Sequence, residues 1–327
     1  MSTAAPVPET WELTGDDARK TLASTGRLRL LEDAFVRLRL ADGTSHSRSL
    51  AFVTSFVLVQ GLIVIVGFAT ACGSSGVSSV IVDTIRSAAP GPAGDLLTGA
   101  VKQANKVGAH DRYLALVLGL IGTMITATTA MGQLERGLNR IYGVERDRPV
   151  LEKYRMAFLL AISAGAVIAS SFVLLAFGRQ FGTSADGAVH VVWSIVRWPL
   201  GVGLLAVGLA ILFRWSPRRH QPGRAWLAFG SVIAVGLWSI STLVFALLFR
   251  VSSSFGDTYG PLAGIVALQL WTFVSALSIF YGAAVAAQLE AVRAGVPAVT
   301  SIRQPDADAG LQVGTTGGSR LRPWSDP

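Results

Sequence analysis

Leu50–Ala71 reads LAFVTSFVLVQGLIVIVGFATA, and no charged residue interrupts it. An α-helix rises about 1.5 Å per residue, so about 20 apolar residues match a hydrocarbon core of about 30 Å. Five further stretches have the same character: Tyr113–Met131, Met156–Phe177, Val191–Phe213, Trp226–Phe249 and Leu262–Ala287. Lipid offers no hydrogen-bond partners, so such segments cross as helices that satisfy their own backbone. The chain therefore reads as an all-α, polytopic integral membrane protein, with six transmembrane helices and short amphipathic surface helices.

Composition agrees with this reading. Of 327 residues, 51% are hydrophobic and only 15% charged. The net charge of +8 raises the question of nucleic acid, but the cations follow the membrane instead. With the N-terminus inside, 21 Lys and Arg fall on the inner side and six on the outer side, with Arg197 within a helix. That bias is the positive-inside rule, with both termini cytoplasmic, and no nucleic-acid partner is needed to explain it. Arg in excess of Lys and heavy Ala and Gly usage suggest a GC-rich bacterial genome, hence the bacterial inner membrane. The only cysteine is Cys72, so neither an internal disulfide nor a cysteine metal cluster is expected. Roughly 48 mostly polar residues precede the first apolar run, and no cleavable signal peptide is expected.

Outside the spans the chain divides simply. Residues 1–12 read as disordered, 13–48 as a cytoplasmic helical arm, 49–295 as the membrane domain and 296–327 as a disordered tail. Within the arm, Asp16–Ala41 has helical spacing, with Leu28, Leu31, Phe35 and Leu38 on one face and Arg27, Arg37 and Arg39 away from it. Such a helix lies on anionic headgroups or docks on a partner. The outer loop at 73–111 carries two helical segments, Val77–Ile85 and Leu96–Val107, parted by Pro90-Gly91-Pro92. The other outer loops are brief, so spans 3–4 and 5–6 pair as antiparallel hairpins. In span 3, Ala157, Ala161, Gly165 and Ala169 form a small-residue stripe suited to close helix approach; span 4 has Gly201, Gly203 and Gly208, and span 2 has Gly119 and Gly122.

Polar side chains at membrane depth are costly and need a reason. Gln60 and Gln269 lie there, as do Trp238 and Trp271; they either line a substrate path or bond one helix to the next. Arg197 either snorkels outward or meets an anionic ligand or Asp257. A second group lies at the inner helix ends: Gln133, Glu135, Asn139, Arg140, Arg214, Gln288 and Glu290. Helix C-termini favour cations, so Glu135 and Glu290 need basic partners, and Arg140, Arg214 and Arg293 are within reach by spacing. This group is either an ion-pair network that fixes the bundle or a cytoplasmic gate. Signals for catalysis are missing: His46, His110, His190 and His220 are isolated, and no HExxH, GxSxG, Walker loop or dinucleotide fingerprint stands in a suitable setting. No enzyme activity, metal or cofactor is expected.

Three stretches carry a resemblance over about residues 27–295. Leu134–Pro149 reads LERGLNRIYGVERDRP; Arg197-Trp198-Pro199-Leu200 and Phe213-Arg214-Trp215-Ser216-Pro217 mark span 4; and Tyr259-Gly260-Pro261-Leu262-Ala263-Gly264 leads through Leu270-Trp271 and Gly282 to Gln288-Leu289-Glu290. Together they resemble the YihY/BrkB family of bacterial inner-membrane proteins, once labelled ribonuclease BN. Asp257, Tyr259, Gly260 and Pro261 belong to the loop that carries the most specific of these motifs. The chain departs from the family pattern twice. Ser55–Ile65 lacks the family's proline, with Gln60 near its place, and Ala286-Ala287-Gln288 stands where the family has Gly-Ala-Glu, with Glu290 two residues later. The resemblance implies a six-helix membrane protein linked to envelope functions and to export of lipids or small anions, the ribonuclease label being a misassignment. The expected function is thus a transporter or flippase-like permease for an amphipathic or anionic envelope molecule, with a non-transporting scaffold as the alternative. The bilayer is the expected partner, and a lipid or small anion the expected substrate.

Overall fold

A computed structural model describes residues 4–9, 15–71, 77–183, 188–251 and 261–296. The tail beyond residue 296, Cys72, Asp257, Tyr259 and Gly260 lie outside the described residues. Among the described residues there are α-helices and no strand: α1 (Gly15–Thr25), α2 (Arg27–Leu40), α3 (Gly43–Ala71), α4 (Val77–Ala88), α5 (Gly91–Tyr142), α6 (Val150–Thr183), α7 (Ala188–Trp215), α8 (Arg224–Val251) and α9 (Pro261–Arg293). Six are long and apolar enough to cross a membrane: Gly43–Phe68, Leu116–Tyr142, Val150–Ser171, His190–Trp215, Trp226–Val251 and Leu262–Arg293. The protein is an all-α polytopic membrane protein. Large apolar side chains such as Phe52, Phe56, Phe68, Ile125, Leu243 and Leu247 stay exposed along the spans. In a bilayer, acyl chains cover them.

The spans pair as α3 with α5, α6 with α7 and α8 with α9, and α9 also meets α5, α3 and α2. The C-terminal part of α9 is enclosed throughout, from Gly282 to Ala291. Two glycines allow its approach to α8: a Cβ built on Gly282 would stand 2.5 Å from the Gly230 carbonyl oxygen, and one on Gly230 would stand 2.6 Å from that of Gly282. Neither backbone contact admits a side chain. The stripe expected in α6 is interrupted: Ala157 is buried, but Gly165 faces open space and Ala169 is exposed, and Ala164 is buried instead. Residues four apart advance by 400°, so the stripe drifts around the helix. Gly208 does serve a close contact, with Ile168.

Three boundaries differ from the sequence reading. The arm expected as one helix over Asp16–Ala41 is two, because Gly26 at φ 79° breaks it. A left-handed backbone is cheap only for glycine and cannot continue a helix. The outer segment at Leu96–Val107 is not a separate surface helix but the start of α5, which runs on into the second span. That first part of α5 packs against the start of α9 and the end of α8, with Leu96 beside Gly264 and Gly91 beside Phe249. Together with α4 it builds an outer core around Val66, Ile85, Leu97, Val101, Leu268 and Trp271. Finally, residues 4–9, expected to be disordered, form an ordered strap over the basic end of the bundle. Ala4 and Val7 are buried, and the Val7 amide donates to the Tyr142 carbonyl at 3.1 Å. That amide bond gives the end of α5 an acceptor's partner it otherwise lacks, which a reading of composition does not register.

Candidate functional site

The basic end of the bundle gathers the strap, α1, α2, the 143–149 loop, the 216–223 loop and the last turns of α5, α7 and α9. Each helix C-terminus leaves carbonyls without intrahelical donors and carries partial negative charge. Guanidinium groups meet that need here, yet they come from unexpected places.

Arg37, placed by spacing on the solvated face of α2, is fully buried, while Leu28 and Phe35 are exposed. Its Nε donates to Gln288 Oε1 at 2.9 Å, and its Nη1 donates to the carbonyls of Ala5 (2.9 Å) and Ile141 (3.2 Å). It thus caps α5 and ties α2, α9 and the strap to it. Burial lowers its pKa to about 10, against the opposing fields of Tyr142 and Glu290, and the group is charged at neutral pH.

Arg219 forms the second centre. Its Nη2 pairs with Glu290 and also donates to the Pro8 carbonyl at 2.9 Å, and its guanidinium lies 4.7 Å from the Tyr142 ring centroid. The Arg219 and Glu290 side chains are 2% and 1% exposed. Next to it, His220 receives Glu9 of the strap through both its amide and its ring, each at 3.2 Å.

Arg148 is the third. Its guanidinium pairs with Glu135 at 3.1 Å and donates to the Ser216 and Pro217 carbonyls, closing the end of α7. Around it, buried Asn139 donates to Asp147 at 3.0 Å and accepts from the Arg218 amide at 2.8 Å. Burial alone would raise the Asp147 carboxyl, but hydrogen bonds from Asn139 and Lys153 and the charges of Lys153 and Arg136 hold it below the usual carboxylate range. Gly143, at φ 72°, turns the chain out of α5, and a Cβ there would stand 2.6 Å from Pro6 Cα.

Of the inner-end group, the structure brings Glu135, Asn139, Gln288 and Glu290 into one buried layer. Gln133 and Arg140 are half-buried on α5. The expected basic partners are corrected: Glu135 pairs with Arg148 and Glu290 with Arg219, whereas Arg293 meets Asp17 at 3.2 Å and Arg214 lies 5.8 Å from the Trp215 ring. Spacing along one helix finds partners three or four residues away, but both of these partners come from loops. The one sequence signal for them was the density of arginines in the two inner loops.

The mid-membrane group is dispersed among helix contacts. Gln60 accepts from the Thr126 hydroxyl at 2.9 Å, joining α3 to α5 against Gly122. Trp271 donates to Thr242 at 3.1 Å, joining α9 to α8, and Trp238 packs at the edge of the same outer core. Gln269 is half-buried. Arg197 stands apart on α7, 5.8 Å from the Trp198 ring, with its Nε buried and without a hydrogen-bond partner. Pro261 is the first residue of α9. Among the described residues, no three His, Cys, Asp or Glu side chains are grouped to hold a metal ion.

The family described as Virulence factor BrkB matches residues 34–305. A ribonuclease-like protein, YfkH, of Bacillus subtilis is 26% identical over 270 residues, covering 80% of this chain and 95% of its own. A UPF0761 membrane protein of Idiomarina loihiensis is 26% identical over 180 residues, covering 55% of this chain and 62% of its own. Another, from an Azoarcus species, is 27% identical over 270 residues, covering 81% of this chain and 63% of its own. The chain thus spans less than two thirds of the length of these two UPF0761 proteins. No solved structure matches it. The matched region begins in α2, takes in all six spans and runs past Glu290, so this chain belongs to the BrkB family of membrane proteins.

Proposed function

We propose that the protein is a permease of the bacterial inner membrane for an amphipathic or anionic envelope molecule, non-enzymatic, with its basic end in the cytoplasm. In this reading the buried charge layer is the cytoplasmic closure. One observation carries it: two ion pairs, Arg219–Glu290 and Arg148–Glu135, have both partners 10% exposed or less; the first joins the 216–223 loop to α9, and Arg148 of the second also donates to the Ser216 and Pro217 carbonyls at the end of α7. Buried ion pairs contribute little net stability compared with apolar packing of the same volume. They suit contacts that must part and re-form, because solvated charges lose little when the pair opens. The positive-inside bias supports the orientation.

A scaffold without transport is the second reading. The bonds Gln60–Thr126 and Trp271–Thr242 favour it, because they use mid-membrane polar groups for helix packing. The test is flux through purified protein in vesicles, with a fluorescent anionic phospholipid and a set of organic anions as probes. The permease reading expects protein-dependent movement of at least one probe, and faster movement in the Arg219→Gln/Glu290→Gln double variant, whose closure lacks its ion pair. No movement of any probe by either protein would favour the scaffold.

A further inference from the structure

We propose that Arg37 and Arg219 together form a binding site for a phosphate-type oxyanion, free or on a lipid headgroup, and that the strap at 4–9 occupies this site from within the chain. The assignment rests on the permease reading of the basic end and names the chemistry that end admits.

Two fully buried guanidinium groups, from α2 and the 216–223 loop, converge on one short segment. Arg37 Nη1 donates to the Ala5 carbonyl and Arg219 Nη2 to the Pro8 carbonyl, each at 2.9 Å. Two main-chain oxygens three residues apart are thus held by two arginine forks. Both forks have capacity left over: Arg37 Nη2 and Arg219 Nε and Nη1 are buried with no hydrogen-bond partner. A buried donor left without an acceptor is costly, and more so on a charged group. Glu290 pairs with Arg219 and its field also reaches Arg37, whose direct hydrogen-bond acceptors are an amide and two carbonyls, all neutral.

A planar guanidinium presents paired N–H groups that match two oxygens of a phosphate, and two such forks hold one between them. The Ala5 and Pro8 carbonyls take one donor from each fork, but they carry only partial charge and leave three nitrogens unused. The Tyr142 ring, 4.7 Å from the Arg219 guanidinium, holds that fork in place. Strap and oxyanion therefore compete for one pair of arginines.

The experiment uses the full chain in phosphatidylcholine nanodiscs, titrated with inorganic phosphate and followed by calorimetry. A parallel arm replaces part of the lipid with phosphatidylglycerol and reads the shift in melting temperature. Val7→Asn unseats the strap by placing a polar group in the apolar seat of Val7 without adding charge. Expected is binding about tenfold tighter in Val7→Asn than in the unmodified chain, and loss of about tenfold when Arg219→Lys or Arg37→Lys is added. The lysine variants keep the charge but lose the fork, and a cooperative melting transition in each shows that it is folded. Stabilisation by phosphatidylglycerol alone, lost in the same lysine variants, assigns the site to a lipid headgroup; saturable inorganic phosphate assigns it to the free anion. Neither effect in Val7→Asn, or equal binding with and without the lysine substitutions, overturns the proposal. Binding without vesicle flux retains the site and ends the permease reading, whereas flux without binding does the reverse.

Discussion

Replacing Glu290 by Gln removes the partner of a guanidinium that has almost no contact with solvent. The Glu290 and Arg219 side chains are 1% and 2% exposed, so water cannot take the place of the lost carboxylate. What remains for Arg219 is the Pro8 carbonyl and the Tyr142 ring. Breaking a buried pair from one side costs about 3–5 kcal/mol, whereas replacing both partners by neutral groups is often close to neutral. Glu290→Gln and Arg219→Gln should therefore each lower unfolding free energy by about 3 kcal/mol or more. The double variant removes both charges and should cost less than either single variant, so the coupling between the two sites is about 3 kcal/mol or more. Titration of detergent-solubilised protein with a denaturing surfactant, read by tryptophan fluorescence, gives all four corners of the cycle. Single-variant costs that add within about 0.5 kcal/mol would refute the buried pair as an energetic unit.

Other consequences are independent of that pair. Gly282→Ala would place a Cβ 2.5 Å from the Gly230 oxygen, so α8 and α9 must separate, and a loss of about 1–3 kcal/mol is expected in the same titration. Gln60→Leu and Thr126→Val should each cost only about 0.6 kcal/mol, the average for an interhelical hydrogen bond in a membrane, and the pair together little more than either alone; a cost several times larger would point to a role beyond packing. The depressed pKa of Asp147 means that its stabilising contribution is complete above the ordinary carboxylate range and is lost as pH falls through its folded value. Asp147→Asn should accordingly flatten the acid limb of the melting temperature against pH and leave the neutral region lower than in the unmodified chain.

The six spans were legible because crossing a bilayer imposes a length and a composition that no loop imitates. Antiparallel pairing of the last four spans followed from short connections. The inner-end carboxylates were also legible, since Glu135 and Glu290 oppose the field of their own helices. Their partners were not. Arg37 lies 251 residues from Gln288, and Arg219 lies 71 from Glu290, distances over which periodicity carries no information. An amphipathic pattern sorts side chains into two faces, but α2 has three environments: an exposed face for Leu28 and Phe35, protein for Leu30 and Ala34, and a buried polar seat for Arg37. The strap escaped notice for a related reason. It has too few apolar residues to build a core, yet its backbone supplies acceptors that buried arginines need.

If the proposed orientation holds, residues 4–42, both arginine-rich loops and the end of α9 share one face of the membrane, the cytoplasmic one. In a Cys72→Ser background, single cysteines at Glu145, His220 and Asp95 can be probed with a membrane-impermeant maleimide on intact cells. Labelling is expected at Asp95 only, with Glu145 and His220 labelled together after the membrane is permeabilised. Labelling of Glu145 and His220 from opposite sides would contradict it.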